Sequence, residues 1–99
     1  MYLVVFRNRK RTDIDQARYA EDAVRMERLA ARQPGFLSFK CYTAEDGEVV
    51  AVSEWESRAA AKAWRAVAGH AEVQARGRED YYAEYTVLTC DDPGIRRWP

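Results

Sequence analysis

The opening run from Met1 to Phe6 constrains this chain more than any other stretch. It is continuously apolar and no turn residue interrupts it, which reads as a strand. Successive side chains of a strand point to opposite faces, so Tyr2, Val4, Phe6 and Asn8 share one face and Met1, Leu3, Val5 and Arg7 the other. Both faces are apolar over the first half. Such a strand belongs in the middle of a layered structure, with helices on one side. In a chain of 99 residues the cover for the second side has to come from a second subunit.

The rest of the chain supplies the other layers in order. Asp13 and Gln16 have capping-box spacing, which predicts a helix from there to about residue 33. Tyr19, Ala23, Met26 and Ala30 form its apolar stripe, flanked by Leu29; Arg18, Glu21, Asp22, Arg25 and Arg28 supply the wet face. Pro34 and Gly35 end it. Phe36 to Thr43 and Glu48 to Glu56 read as two strands of an antiparallel hairpin, turned at Asp46-Gly47 where glycine tolerates positive φ. Ser57 caps an alanine-rich helix that carries Trp64. Gly69 predicts a break near 67–69, followed by a last helical segment from about His70 to Glu79. Tyr81 to Cys90 closes the sheet. The order β-α-β-β-α-β predicts an α+β, ferredoxin-like split βαβ sandwich, with helices on one face of a four-stranded antiparallel sheet. Residues 1–90 form one domain, and 91–99 a C-terminal extension.

Composition narrows the function classes. Sixteen basic and sixteen acidic side chains cancel, which gives no electrostatic reason to expect nucleic acid or a membrane surface as partner. No run is long and apolar enough to span a bilayer and no signal-peptide pattern is present, so the expectation is a soluble, cytoplasmic protein. Cys41 and Cys90 lack metal or redox spacing and read as reduced thiols. One histidine without a cluster of carboxylates or cysteines makes no recognisable metal site. There is no phosphate loop, no dinucleotide fingerprint and no nucleophile elbow.

The stretch from Trp55 to Tyr85 holds most of the side chains that could bind an aromatic ligand. With strand one it offers Asn8, Trp64, His70, Gln74 and Tyr81 or Tyr82. His70, Gln74 and Gly77 share one helix face, and Asn8 ends the apolar face of its strand. Structural readings stand beside these. Trp64 can be a core anchor that fills space left by alanines. His70 can be a helix-end cap, Asn8 can satisfy a strand end, and the tyrosines are ordinary strand residues.

Gln33-Pro34-Gly35-Phe36, the Asp46-Gly47 turn, Ser53-Glu54-Trp55-Glu56-Ser57, Trp64, His70, Gln74, Gly77 and Tyr85 together resemble the antibiotic biosynthesis monooxygenase family over residues 1–90. The resemblance implies a dimeric α+β barrel in which two sheets pack face to face as a homodimer. It implies oxygenases that need no metal or flavin and that oxidise electron-rich aromatics such as anthrones, hydroquinones and polyketide rings with O₂. On that resemblance Trp64, His70 and Asn8 are the catalytic candidates, and Gln74, Tyr81, Phe6 and Met26 the substrate-binding ones. Haem-degrading enzymes of the same fold also resemble the chain at Asn8 and Trp64. Their haem-ligating histidine falls at Gln74 here, with His70 one turn early. Some polyketide oxygenases carry an asparagine one turn before the tryptophan, where this chain has Ala60. A non-catalytic ligand-binding dimer is the alternative outside enzymes.

Overall fold

The computed structural model describes residues 1–70 and 80–99, with side chains for 1–68 and 80–99. Six elements follow one another: β1 (Tyr2–Lys10), α1 (Gln16–Ala31), β2 (Phe36–Thr43), β3 (Val49–Trp55), α2 (Arg58–His70) and β4 (Tyr82–Asp91). They make the α+β, ferredoxin-like arrangement that the element order predicts. The strands form a single antiparallel sheet in the order β2-β3-β1-β4. The apolar opening strand is therefore central, with β3 on one side and β4 on the other.

Register divides the sheet into two faces. Tyr2 pairs with Trp55, Val4 with Ser53, Phe6 with Ala51 and Asn8 with Val49 across β1 and β3. These residues face the helices. Trp55 is 1% exposed and anchors the core with Tyr2, Ala30 and Ala61; Val4, Phe36, Ala60 and Trp64 pack around it. The opposite face carries Leu3, Val5, Val50, Val52 and Leu88 as its apolar centre. Arg7 with Glu48 at 3.1 Å, and Arg9 with Asp46 at 2.8 Å, lie toward its end.

Local chemistry explains the boundaries and corrects three expectations. Asp15, not Asp13, caps α1: its carboxylate accepts from the backbone N–H of Arg18 at 3.0 Å. Asp13 instead pairs with Arg11 at 2.9 Å. Asp22 is not on the wet face but buried, while Ala23 is exposed. At about 100° per residue, Tyr19, Met26, Leu29 and Ala30 centre on a direction about 40° from Asp22 and about 60° from Ala23. The carboxylate thus lies nearer the axis of the inward stripe than the alanine. Finally, α2 continues through 67–69 to His70 without a break. The last predicted helix, with Gln74 and Gly77, falls outside the described residues.

The other turns follow the sequence. Ser57 Oγ accepts from the N–H of Ala60 at 3.1 Å and caps α2. Gly47 takes φ +91° in the β2–β3 turn, a region that costs other residues strain. Gly35 takes φ +85° and lies so close to α2 that a methyl group there would sit 2.5 Å from Ala60 Cβ. Beyond β4, residues 93–99 have no regular structure and Trp98 is fully solvent-facing. Among the described residues, no helix is long and apolar enough to cross a membrane.

Candidate functional site

The two halves of the sequence-level constellation settle in different surroundings. Trp64 lies half-buried on α2 and stacks on Trp55, with ring centres 6.0 Å apart and planes 19° from parallel. Phe36 meets Trp55 edge-on at 5.6 Å. Trp64 therefore has a core contact whatever else it does. Its outer edge lines an open groove with Gln33, Pro34, Gly35, Glu56 and Ala60.

The second region is at the far end of β1. Phe6, Asn8 and Lys10 follow one another on its helix side, as strand alternation requires. The Phe6 ring meets Tyr82 at 5.3 Å and Tyr85 at 5.5 Å, both edge-on, and those two tyrosines lie 6.0 Å apart. Phe6 pairs with the small Ala51 on one side and Val87 on the other. Tyr85 is 48% exposed and Val87 53% exposed although both point to the helix side. An accessible aromatic and apolar wall results.

Polar groups converge on that wall. Asn8 is 3% exposed, and its side-chain oxygen accepts from the Lys10 amine. The Lys10 nitrogen lies 4.8 Å from the centre of the Tyr19 ring and 5.4 Å from that of Tyr82. Such placement over aromatic faces favours an ammonium. Burial works the other way and dominates, drawing the Lys10 pKa below its ordinary value; the nearby Cys41 opposes this weakly. Burial likewise raises the Tyr19 phenol and the Cys41 thiol, and holds the Tyr82 phenol far above the usual phenol range. The neutral form of every one of these groups is favoured here, the expected effect of a low-dielectric pocket.

Tyr81 lies just before β4 and is buried; its hydroxyl donates to Asp22 at 2.6 Å. The Tyr19 ring meets it edge-on at 5.3 Å, and its carbonyl accepts from the N–H of Arg11 at 2.8 Å. Tyr81 therefore ties β4 to α1 behind the wall. Met26 is half-buried on α1. The side chain of His70 and all of Gln74 lie outside the described residues. Of the sequence candidates, the structure gathers Phe6 and Asn8 into the aromatic wall, and it sets Trp64 on the Trp55 core. Lys10 and Tyr19 were missed as site residues. Their signal was the period-two alternation of β1, which carries Lys10 to the face of Phe6 and Asn8. Among the described residues, no three His, Cys, Asp or Glu side chains come together to hold a metal ion.

Comparison with known proteins agrees with this fold. The family model "Antibiotic biosynthesis monooxygenase" matches residues 1–76. The uncharacterized protein YqjZ of Bacillus subtilis is 37% identical over 86 residues, which is 87% of this chain and 74% of that protein. Among solved structures, Rv0793 from Mycobacterium tuberculosis superposes with a TM-score of 0.80 at 20% identity, over 97% of this chain and 98% of that one. SnoaB from Streptomyces nogalater, a cofactor-independent oxygenase, superposes at 0.71 with 20% identity, over 93% and 94% of the two chains. At such identities the structural matches establish the shared fold.

Proposed function

The chain belongs to the antibiotic biosynthesis monooxygenase family, and from that premise we propose that it is a cytoplasmic, cofactor-independent monooxygenase acting on a small electron-rich aromatic. The observation that carries this reading is the accessible wall of Phe6, Tyr82, Tyr85 and Val87 beside the buried amide of Asn8. A flat aromatic can stack there while one oxygen is held by a polar group. The similarity in fold to SnoaB supports the same choice.

In this reading the substrate supplies the electrons. A ring-activated CH₂ loses a proton to a pocket base, and the carbanion or its enolate passes one electron to O₂. The resulting superoxide and substrate radical combine, and a proton completes a hydroperoxide. Loss of water leaves a C=O, so CH₂ and O₂ become C=O and H₂O. The protein's part is to bind the ring, exclude water and move the protons. Asn8 orients an oxygen of the substrate, Phe6 and Met26 contact the ring, and Trp64 closes the helix side. His70 and Gln74 complete the proposed set as polar contacts, and Tyr81 supports the wall from behind through its hydrogen bond to Asp22. The haem alternative shares Asn8 and Trp64 but has Gln74, a poor iron ligand, where its histidine is needed, so it depends on His70 one turn earlier.

The reading extends to assembly. Leu3, Val5, Val50, Val52 and Leu88 make the sheet's outer face apolar, and a second copy packed on it covers that face in both chains. The test of the activity is O₂ consumption with metal-stripped protein on anthrones, hydroquinones and dihydroxynaphthalenes. The expected result is uptake above the spontaneous rate that survives chelation and falls about tenfold or more in Trp64→Phe. Uptake equal to the blank on every substrate would refute the oxygenase reading, and equal rates for the two proteins would remove Trp64 from the mechanism.

A further inference from the structure

Lys10 has an environment that the oxygenase reading does not use. It is half-buried at the wall, hydrogen-bonded to Asn8, and set against two aromatic rings. Every other described cation of β1 is paired: Arg7 with Glu48, and Arg9 with Asp46 and Glu84. Among the described residues, no carboxylate pairs with Lys10. The titratable groups around it are Tyr19 and Glu27 of α1, Cys41 of β2 and Tyr82 of β4, while β3 presents Val49 and Ala51 on that side. Glu27 acts on Cys41 and not on Lys10.

A half-buried amine that no described carboxylate pairs has two stable conditions. It can be neutral, or it can be an ammonium matched by an anion from outside. A phenol or enol on the aromatic wall links the two. Its proton moves to Nζ, and the resulting oxyanion is the missing counter-ion. The two charges form together, so neither is buried alone.

We propose that Lys10 takes the acidic proton of a hydroxyaromatic or enol ligand and then holds its oxyanion, so that the site selects acidic phenols and enols over neutral aromatics of the same shape. For the reaction this rests on the oxygenase reading above; for the binding it does not. Asn8 then positions the amine through the hydrogen bond to its side-chain oxygen. The lowered Lys10 pKa is in the direction a base near neutral pH needs.

The probe is 4-nitrophenol, whose absorbance distinguishes phenol from phenolate, with 4-nitroanisole as the neutral control. Both are titrated into wild type, Lys10→Met and Lys10→Arg, with thermal melts to confirm folding. In wild type, below the dye's own pKa, binding should produce the phenolate band, and nitrophenol should bind about tenfold or more tighter than nitroanisole. Lys10→Met should abolish both effects. Lys10→Arg should restore affinity for preformed phenolate at higher pH without producing the band at low pH, because a guanidinium cannot accept a proton. Equal binding of the two probes, a dye that stays neutral in wild type, no binding of either at millimolar concentration, or a phenolate band that persists in Lys10→Met would each overturn the proposal. If Lys10→Met fails to fold, a dye that stays neutral in wild type still overturns the proposal, and so does a low-pH phenolate band in Lys10→Arg. Oxygen uptake separates the two readings. Uptake unchanged in Lys10→Met overturns the role of Lys10 in the reaction and leaves the oxygenase standing. A Lys10-dependent phenolate band without uptake on any substrate does the reverse.

Discussion

Replacing Gly35 by alanine tests how α2 is brought onto the sheet. Gly35 combines φ +85° with a site where an added Cβ would stand 2.5 Å from Ala60 Cβ. The left-handed backbone costs a non-glycine residue about 1–2 kcal/mol. The contact is far inside van der Waals distance and joins a rigid turn to a helix, so relief needs a backbone shift of about 1–3 kcal/mol. Together Gly35→Ala should lose about 2–5 kcal/mol, a large share of the roughly 5–15 kcal/mol that holds such domains folded. For a chain of this size that lowers Tm by about 10–30 °C. Ala60→Gly alone should cost about 1 kcal/mol through helix propensity. The double variant removes the clash but keeps the backbone strain, so it should be more stable than the sum predicts by about 1–3 kcal/mol. The assay is urea unfolding followed by tryptophan emission, since Trp55 and Trp64 stack in the core beside this turn. Protein concentration is held fixed because association would shift the midpoint. A Gly35→Ala melt within about 3 °C of wild type refutes both terms. Strict additivity in the double variant refutes the clash and leaves only the backbone term.

Two more predictions concern the sheet's outer face and the β2–β3 turn. Leu88→Glu places a charge at the centre of the apolar outer face, opposite Val5; sedimentation should show a dimer for wild type and a monomer of unchanged circular dichroism for the variant. A dimer that survives the charge would move the interface elsewhere. Asp46 titrates below its ordinary value of 3.8, chiefly through the hydrogen bond from Arg9 and then the N–H of Glu48. A depressed carboxyl gives stability that is present above the unfolded value and is lost as pH falls through the folded one. Its contribution therefore declines as pH falls below 3.8, and the group is exposed, so the effect is small. Arg9→Gln should raise the Asp46 midpoint in a carboxyl-detected NMR titration; an unmoved midpoint would assign the depression to the backbone donor.

The sheet was legible because its signals are local. The apolar opening run, the Asp46-Gly47 turn and the Ser57 cap each act within a few residues, and each produced its element. Asp22 was misread because charge suggested solvent, whereas its angular position on α1 pointed inward. What makes that position tolerable is Tyr81, 59 residues away, whose hydroxyl reaches the carboxylate. Only the closed fold brings the two together. Trp64 kept two readings in sequence, and the stack on Trp55 supplies the core one directly.

Lys10 depends on one further non-local feature. Strand alternation alone puts it beside Phe6 and Asn8, but it does not say what lies across from it. In a regular β1–β4 ladder, Glu84 opposite Arg9 would bring Ala83 opposite Lys10. The ladder instead shifts between Arg9 and Lys10, and Tyr82 pairs with Lys10. A bulge of this kind re-aims side chains at the end of a strand. Here it replaces a methyl group with a phenol ring, closes the aromatic wall against Phe6 and buries the amine enough to lower its pKa. One extra residue in an edge strand thus converts a strand-end lysine, ordinarily a solvated charge, into a half-buried amine that no described carboxylate pairs.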